Sequence, residues 1–198
     1  MLRTLAVALA LTVCGCGAVS GSSAPDSDVA LLLDGPPAGV HAGIYLTVER
    51  GFDEAEGLDL TIRRRGEARK LLQSGRILAA VLDAPMPGAT CVMAITQQPR
   101  PGHFVCVTPA SLRERRATVV ALVKALQRGY TEAEADPESA VEAILARTGR
   151  DNRAQLAAQL DAVSASFEAG VPAFGYLRRG SLPPGAFAFG LVGPVSRD

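Results

Sequence analysis

The 198-residue chain has no tryptophan, two histidines, four cysteines and only 5% aromatic residues, and its 20 basic side chains are balanced by 20 acidic ones. Without a basic surplus it lacks the electrostatic footprint of a general nucleic-acid binder, because phosphate neutralisation needs Lys and Arg in excess. Two histidines and four cysteines leave little material for a multi-ligand metal site, so no metal is expected. No GxSxG, P-loop or HExxH pattern occurs. Nucleophilic and metal-assisted hydrolysis therefore have no candidate, and neither catalytic residues nor a cofactor are expected. Disorder is excluded too, since 48% of the residues are hydrophobic and the net charge is zero. What remains is a neutral globular chain, long enough for a real hydrophobic core.

The amino terminus reads as a bacterial export signal. Arg3 precedes an apolar run, Leu5 to Val13, that is too short for the roughly 20 residues of a membrane helix. Val13 and Gly15, ahead of Cys16, resemble the lipobox of lipoprotein signal peptidase, with Cys16 as the lipid-modified residue and Cys14 a poorer choice. A plain cleaved signal or a buried apolar terminus is the alternative. On the lipoprotein reading residues 1–16 are signal and lipobox, 17–28 a Gly- and Ser-rich flexible tether, and 29–198 the folded domain. The expected location is the cell envelope, either lipid-anchored on the outer face of the bacterial cytoplasmic membrane or periplasmic. In that oxidising setting Cys91 and Cys106, on two expected strands at 90–96 and 103–108, either form a cross-strand disulfide or remain two buried thiols.

Periodicity divides the domain into an α/β first half and a helical second half. Val29 to Asp34 is a continuous apolar run ending in Gly35-Pro36-Pro37, as expected of a strand buried on both faces. Ile44, Val48, Phe52 and Ala55 share a helix stripe that Gly57 would end, and Leu58 to Ile62 alternates as a strand. This βαβ unit implies a parallel sheet with a right-handed crossover. A helix over 67–74 and a strand over 77–82 extend it. Further on, Ser111 to Glu114 fits a capping box, Asp136-Pro137-Glu138 opens a helix, and Asp151 is placed to cap another, whose Leu156, Leu160, Val163 and Phe167 form a core stripe. The Gly- and Pro-rich segment from Gly170 onward shows no period.

The segment Asp34 to Tyr45 leaves the carboxyl end of the first strand and enters a helix, which is where open α/β sheets bind ligands. His41 and Tyr45 lie four apart and so share one helix face. An imidazole beside a phenol suits a small planar or anionic ligand. Alternatively His41 caps the loop and Tyr45 is core. Arg63-Arg64-Arg65, with Arg69 and Lys70, form a basic cluster that reads as a solvated helix entrance or as a contact for anionic lipid headgroups.

The stretch Asp34 to Ile62, above all His41-Ala42-Gly43-Ile44-Tyr45, Glu49-Arg50-Gly51-Phe52 and Glu56-Gly57-Leu58, resembles the opening of the NMT1/THI5-like substrate-binding proteins of ABC transporters. Leu71 to Arg76, Val119 to Gly129, Asp136 to Val141 and Phe174-Gly175-Tyr176 are similar to later segments of that family. The resemblance implies a periplasmic-binding-protein-like parallel sheet with flanking helices, and a monomeric carrier that hands a pyrimidine-like thiamine precursor or related small aromatic to a permease. It implies ligand contacts at His41, Tyr45, Asp34, Pro37, Phe174 and Tyr176.

Two departures qualify the resemblance. Gly35 stands where the family commonly has tryptophan, and the domain is shorter than two lobes require, so the second lobe is expected to be largely missing between the strands of Leu82 and Cys106. The alternative function is a non-binding, envelope-anchored interaction protein or a decayed remnant of such a binder. A thiamine-pyrimidine synthase is third, since the cysteine-rich iron run of that branch is absent.

Overall fold

The computed structural model describes residues 27–97, 102–167, 170–179, 185–191 and 193. The expected export signal with Cys16, and all but the last two residues of the expected tether, lie outside them. Asp28, the tether's last residue, already belongs to a strand.

Five strands form one sheet: β1 (Asp28–Leu32), β2 (Asp59–Arg63), β3 (Ala79–Leu82), β4 (Thr90–Thr96) and β5 (Gly102–Val107), in the order β2-β1-β3-β5-β4. β1 is parallel to both β2 and β3, as the βαβ pattern implies. The other half is antiparallel, for β5 runs against β3 and β4 against β5. The sheet is therefore mixed, because the short connection between β4 and β5 permits only a hairpin. Within that hairpin Cys91 and Cys106 are direct partners and form a disulfide. β4 is not left as a bare edge: Cys91 pairs with Phe187, the Ala94 amide donates to the Gly175 carbonyl, and the Gln97 amide donates to the Ser166 carbonyl.

The expected single helix after β1 is two. A 3₁₀ turn (Gly39–His41) leads into α1 (Ala42–Glu49), and the chain then breaks at Gly51, at φ 65°, before the one-turn α2 (Phe52–Ala55). α3 (Ala68–Gln73) precedes β3. The second half is helical as expected, with α4 (Pro109–Glu114), α5 (Arg116–Ala135), α6 (Pro137–Thr148) and α7 (Arg153–Ser164). Two caps differ from the sequence reading. Thr108, not Ser111, caps α4 by accepting from the Ser111 amide, because Pro109 fixes the first helical position one turn earlier. Asn152 rather than Asp151 precedes α7. Asp136 caps α6 through the Ser139 amide, at 3.0 Å.

One face of the sheet packs against α1, α5, α6 and α7, around Leu31, Ile44, Leu122, Leu126 and Tyr130. The other is covered by a smaller cluster holding Leu72, Cys91, Phe104, Cys106, Leu177 and Phe187. Contact between α1 and α5 is unusually close. A Cβ on Gly129 would sit 2.0 Å from Thr47 Oγ1 and 2.3 Å from the Gly43 carbonyl, and a Cβ on Gly43 would sit 2.3 Å from the Tyr130 ring. Neither glycine has a positive φ, so hydrogen in place of a side chain is required by proximity alone.

Gly129→Ala should therefore lower stability by about 1–3 kcal/mol, the usual cost of overpacking a core, measured as the fall in denaturation midpoint at unchanged m value. An unchanged midpoint would show that α1 and α5 are not in this contact.

Candidate functional site

The topology assembles the site at one edge of the sheet. β1, β2 and β3 are parallel and end together, while β5 begins at that same edge because it runs against β3 with Phe104 opposite Leu82. The loop after β1 thus meets the first residues of β5. Asp34 comes from that loop, His41 from the 3₁₀ turn before α1, and His103 from the start of β5.

Asp34 is the centre. His41 Nε2 lies 2.6 Å from Asp34 Oδ1, and His103 Nε2 lies 3.5 Å from Asp34 Oδ2. The His41 side chain is only 3% exposed, against 38% for His103. The Ala38 amide donates to His41 Nδ1 at 3.2 Å. An acceptor at Nδ1 sets the tautomer: the neutral ring carries its hydrogen on Nε2 and donates it to Asp34. His41 therefore does cap the loop, and the same ring orients the carboxylate. Burial alone would push the Asp34 carboxyl up, but the His41 hydrogen bond and the nearby His41 and His103 outweigh it and hold it below its ordinary value. His103 adopts φ 49°, the one non-glycine positive φ among the described residues, and this left-handed backbone turns its ring toward Asp34.

The loop is clamped from behind. Its Gly39 amide donates to Gln159 Oε1 at 3.2 Å, and an Arg150 guanidinium N–H donates to the Pro37 carbonyl. A Cβ on Gly39 would lie 2.3 Å from the Leu160 amide nitrogen, so α7 packs directly on the turn. From the core side Tyr130 donates to the Val40 carbonyl at 2.7 Å. Burial, with a further push from Asp34, raises the Tyr130 phenol well above its ordinary value, so it remains a donor.

The remaining expected contacts fall differently. Tyr45 is 2% exposed and belongs to the core, yet its hydroxyl is buried without a hydrogen-bond partner. Pro37 is buried and takes part through its carbonyl. Phe174 is a correction: it is stacked on Tyr130 at 4.3 Å and set edge-on to Phe167, a core position rather than a ligand contact. Tyr176 lies beside β4, three strands from β1, where its carbonyl accepts from Gln97 Nε2, so it does not join the Asp34 group. Sequence reasoning missed His103 and Arg150. The signal for His103 was its rarity, one of two histidines, at the first position of an expected strand.

Among the described residues, no group of three or more His, Cys, Asp or Glu is placed to hold a metal ion. The Asp34 to His41 distance of 2.6 Å is a direct hydrogen bond, shorter than two ligands each about 2.0–2.1 Å from a shared zinc would show. A mainly apolar cavity of about 350 Å³ lies elsewhere, between α6 and α7, and no histidine lines it. No described helix is long and apolar enough to cross a membrane.

No family model matches the chain, and no curated protein matches it. Solved structures do. A Bordetella bronchiseptica RB50 protein superimposes with a TM-score of 0.54 at 11% identity, over 78% of this chain and 86% of that one. A Candida albicans gene product, which defines a family exhibiting the generic periplasmic binding protein structural fold, aligns with a TM-score of 0.48 at 11% identity, over 73% and 84%. At this identity the likeness concerns the fold alone.

A carboxyl held below its ordinary value stabilises the fold above its unfolded pKa, about 3.9, and loses that contribution as pH falls through its lower folded value. Thermal midpoints measured downward from pH 5 should accordingly drop more steeply for the wild type than for Asp34→Asn. Parallel curves would mean that Asp34 gains nothing from the two histidines.

Proposed function

We propose that the chain is an exported solute-binding protein that holds a small heterocyclic molecule at the carboxyl edge of its sheet. The observation that carries this reading is the Asp34, His41 and His103 group, a deprotonated carboxylate presented where three parallel strands end. One carboxylate oxygen is satisfied by His41 at 2.6 Å, while the other faces the half-exposed His103 at 3.5 Å, too long for a full hydrogen bond. That second oxygen can accept an N–H from a ring amine, and the His103 imidazole can stack on the ring or hydrogen-bond beside it. An aminopyrimidine offers this donor and acceptor pattern. The resemblance of His41 to Tyr45 to NMT1/THI5-like proteins supports a thiamine-precursor pyrimidine, or a related small aromatic, as the solute. On this reading Cys16 is the lipid anchor, an ABC permease is the partner, and binding is the whole of the chemistry.

Titration calorimetry of folded protein against hydroxymethylpyrimidine, its formylamino analogue, riboflavin and small sulfonates tests this. At least one should bind, and Asp34→Asn should weaken a heterocycle's binding at least tenfold, about 1.4 kcal/mol. Silence across the panel from protein with a cooperative melt would reject the proposal.

A further inference from the structure

We propose that the arginine-rich margin of the sheet, formed by Arg63, Arg64, Arg65, Arg69 and Arg76, is a docking surface for an anionic lipid bilayer. This rests on the reading of the chain as exported and anchored at Cys16, and adds which side of the fold meets the membrane.

The topology gathers these residues on one side of the molecule. Arg63 ends β2, the outer strand of the sheet, and Arg64 and Arg65 continue from it. Its ladder partner is Leu32, which belongs to the smaller core cluster, so Arg63 stands on that same sheet face. α3 covers this face with Ala68, Leu71 and Leu72, which leaves Arg69 and Lys70 exposed on its outer side and Arg76 exposed just past its end. Arg63 and Arg76 line one surface cavity of about 340 Å³, together with Asp28, Asp59, Thr61 and Arg115. The helices α1, α5, α6 and α7 pack on the opposite face.

The charge on this side is unmatched. All five arginines are exposed, and none has a carboxylate partner among the described residues, whereas Arg50, Lys70, Arg147 and Arg153 all do. Positions 63 to 76 hold six basic side chains and one acidic, which leaves the rest of the chain with 14 basic and 19 acidic. A neutral protein is thereby polarised: an anionic surface attracts this margin and repels the remainder, which fixes the orientation of approach. The patch has no aromatic side chain to stack on bases, so the lipid surface is favoured over single-stranded nucleic acid. The cavity suits a phosphatidylglycerol headgroup, whose phosphate accepts from Arg63 and Arg76 while its glycerol hydroxyls donate to Asp28 and Asp59. The anchor lies within reach of the same side. The Asp59 amide at the start of β2 donates to the Ser27 carbonyl at 2.6 Å, and ten residues separate Ser27 from Cys16, a length that spans at most about 40 Å.

The test is co-sedimentation of the full chain carrying Cys16→Ala, so that no attached lipid anchors it, with vesicles of phosphatidylglycerol or of phosphatidylcholine. The apolar run near the amino terminus is common to every arm, so only the differences between arms are read. Binding should be at least tenfold tighter to phosphatidylglycerol at low salt, and that preference should vanish at high salt. Replacing all five arginines by Gln should remove the preference while keeping the wild-type melting midpoint. Should that variant not fold, Arg69→Gln with Arg76→Gln should weaken phosphatidylglycerol binding severalfold. Lys124→Gln with Arg153→Gln, an equal loss of charge on the helical side, should change it less than twofold. Equal binding to both vesicle types, indifference to salt, equal losses in the two pairs, or an RNA oligonucleotide bound as tightly at equal phosphate concentration would each overturn the proposal. Vesicle selectivity in protein silent toward every solute would leave this surface standing and reject the solute-binding reading. A bound solute without vesicle selectivity would do the reverse.

Discussion

The close crossing of α1 and α5 is the constraint on which the rest of the molecule depends. With glycine at 43 and 129 the two helices approach until Thr47 hydrogen-bonds across to the Ala125 carbonyl at 3.4 Å and the Tyr130 ring lies against the α1 backbone. That ring is also stacked on Phe174, and its hydroxyl reaches the Val40 carbonyl. One buried aromatic thus couples the helical half of the chain to the loop that leaves β1. Because protein interiors are packed like crystals, a shift of one methyl group at this crossing moves the start of α1, and with it His41.

The edge site is an extension of the same packing. His41 is useful because it is fixed at both nitrogens, by the Ala38 amide on one side and Asp34 on the other. The loop it caps is held from three directions, by Tyr130, Gln159 and Arg150. Such a group is organised before any ligand arrives, which reduces the ordering cost of binding. Pre-organisation of this kind is what the solute-binding proposal relies on in a chain whose sheet is a single layer of five strands.

Much of this was legible in the sequence, and the failures have physical reasons. Apolar runs placed β1, β2, β4 and β5 to within a residue or two, since period-2 and continuous patterns survive any tertiary context. His41 and Asp34 were readable as candidates because the turn after a buried strand is where open α/β sheets place ligand sites. The break at Gly51 was not readable, for the apolar stripe from Ile44 to Ala55 continues through it and only the left-handed φ reveals the stop. His103 and Arg150 were invisible because they reach Asp34 and Pro37 across 69 and 113 positions of chain, and sequence spacing carries no information about such contacts. Phe174 misled because an aromatic at a ligand site and one in a core look alike until a neighbour such as Tyr130 is known. The Gly43 within the His41 to Tyr45 motif has its explanation in packing, as do Ala42, Ile44 and Tyr45, while His41 belongs to the site.

The central claim is that the loop after β1 holds His41 in one tautomer so that Asp34 is presented at the sheet edge. Histidine ¹⁵N nuclear magnetic resonance measures this directly. In the neutral ring the account predicts a bare Nδ1 and a protonated Nε2 for His41, with slow exchange of the Nε2 hydrogen. A protonated Nδ1, or the averaged signals of a free imidazole, would contradict it.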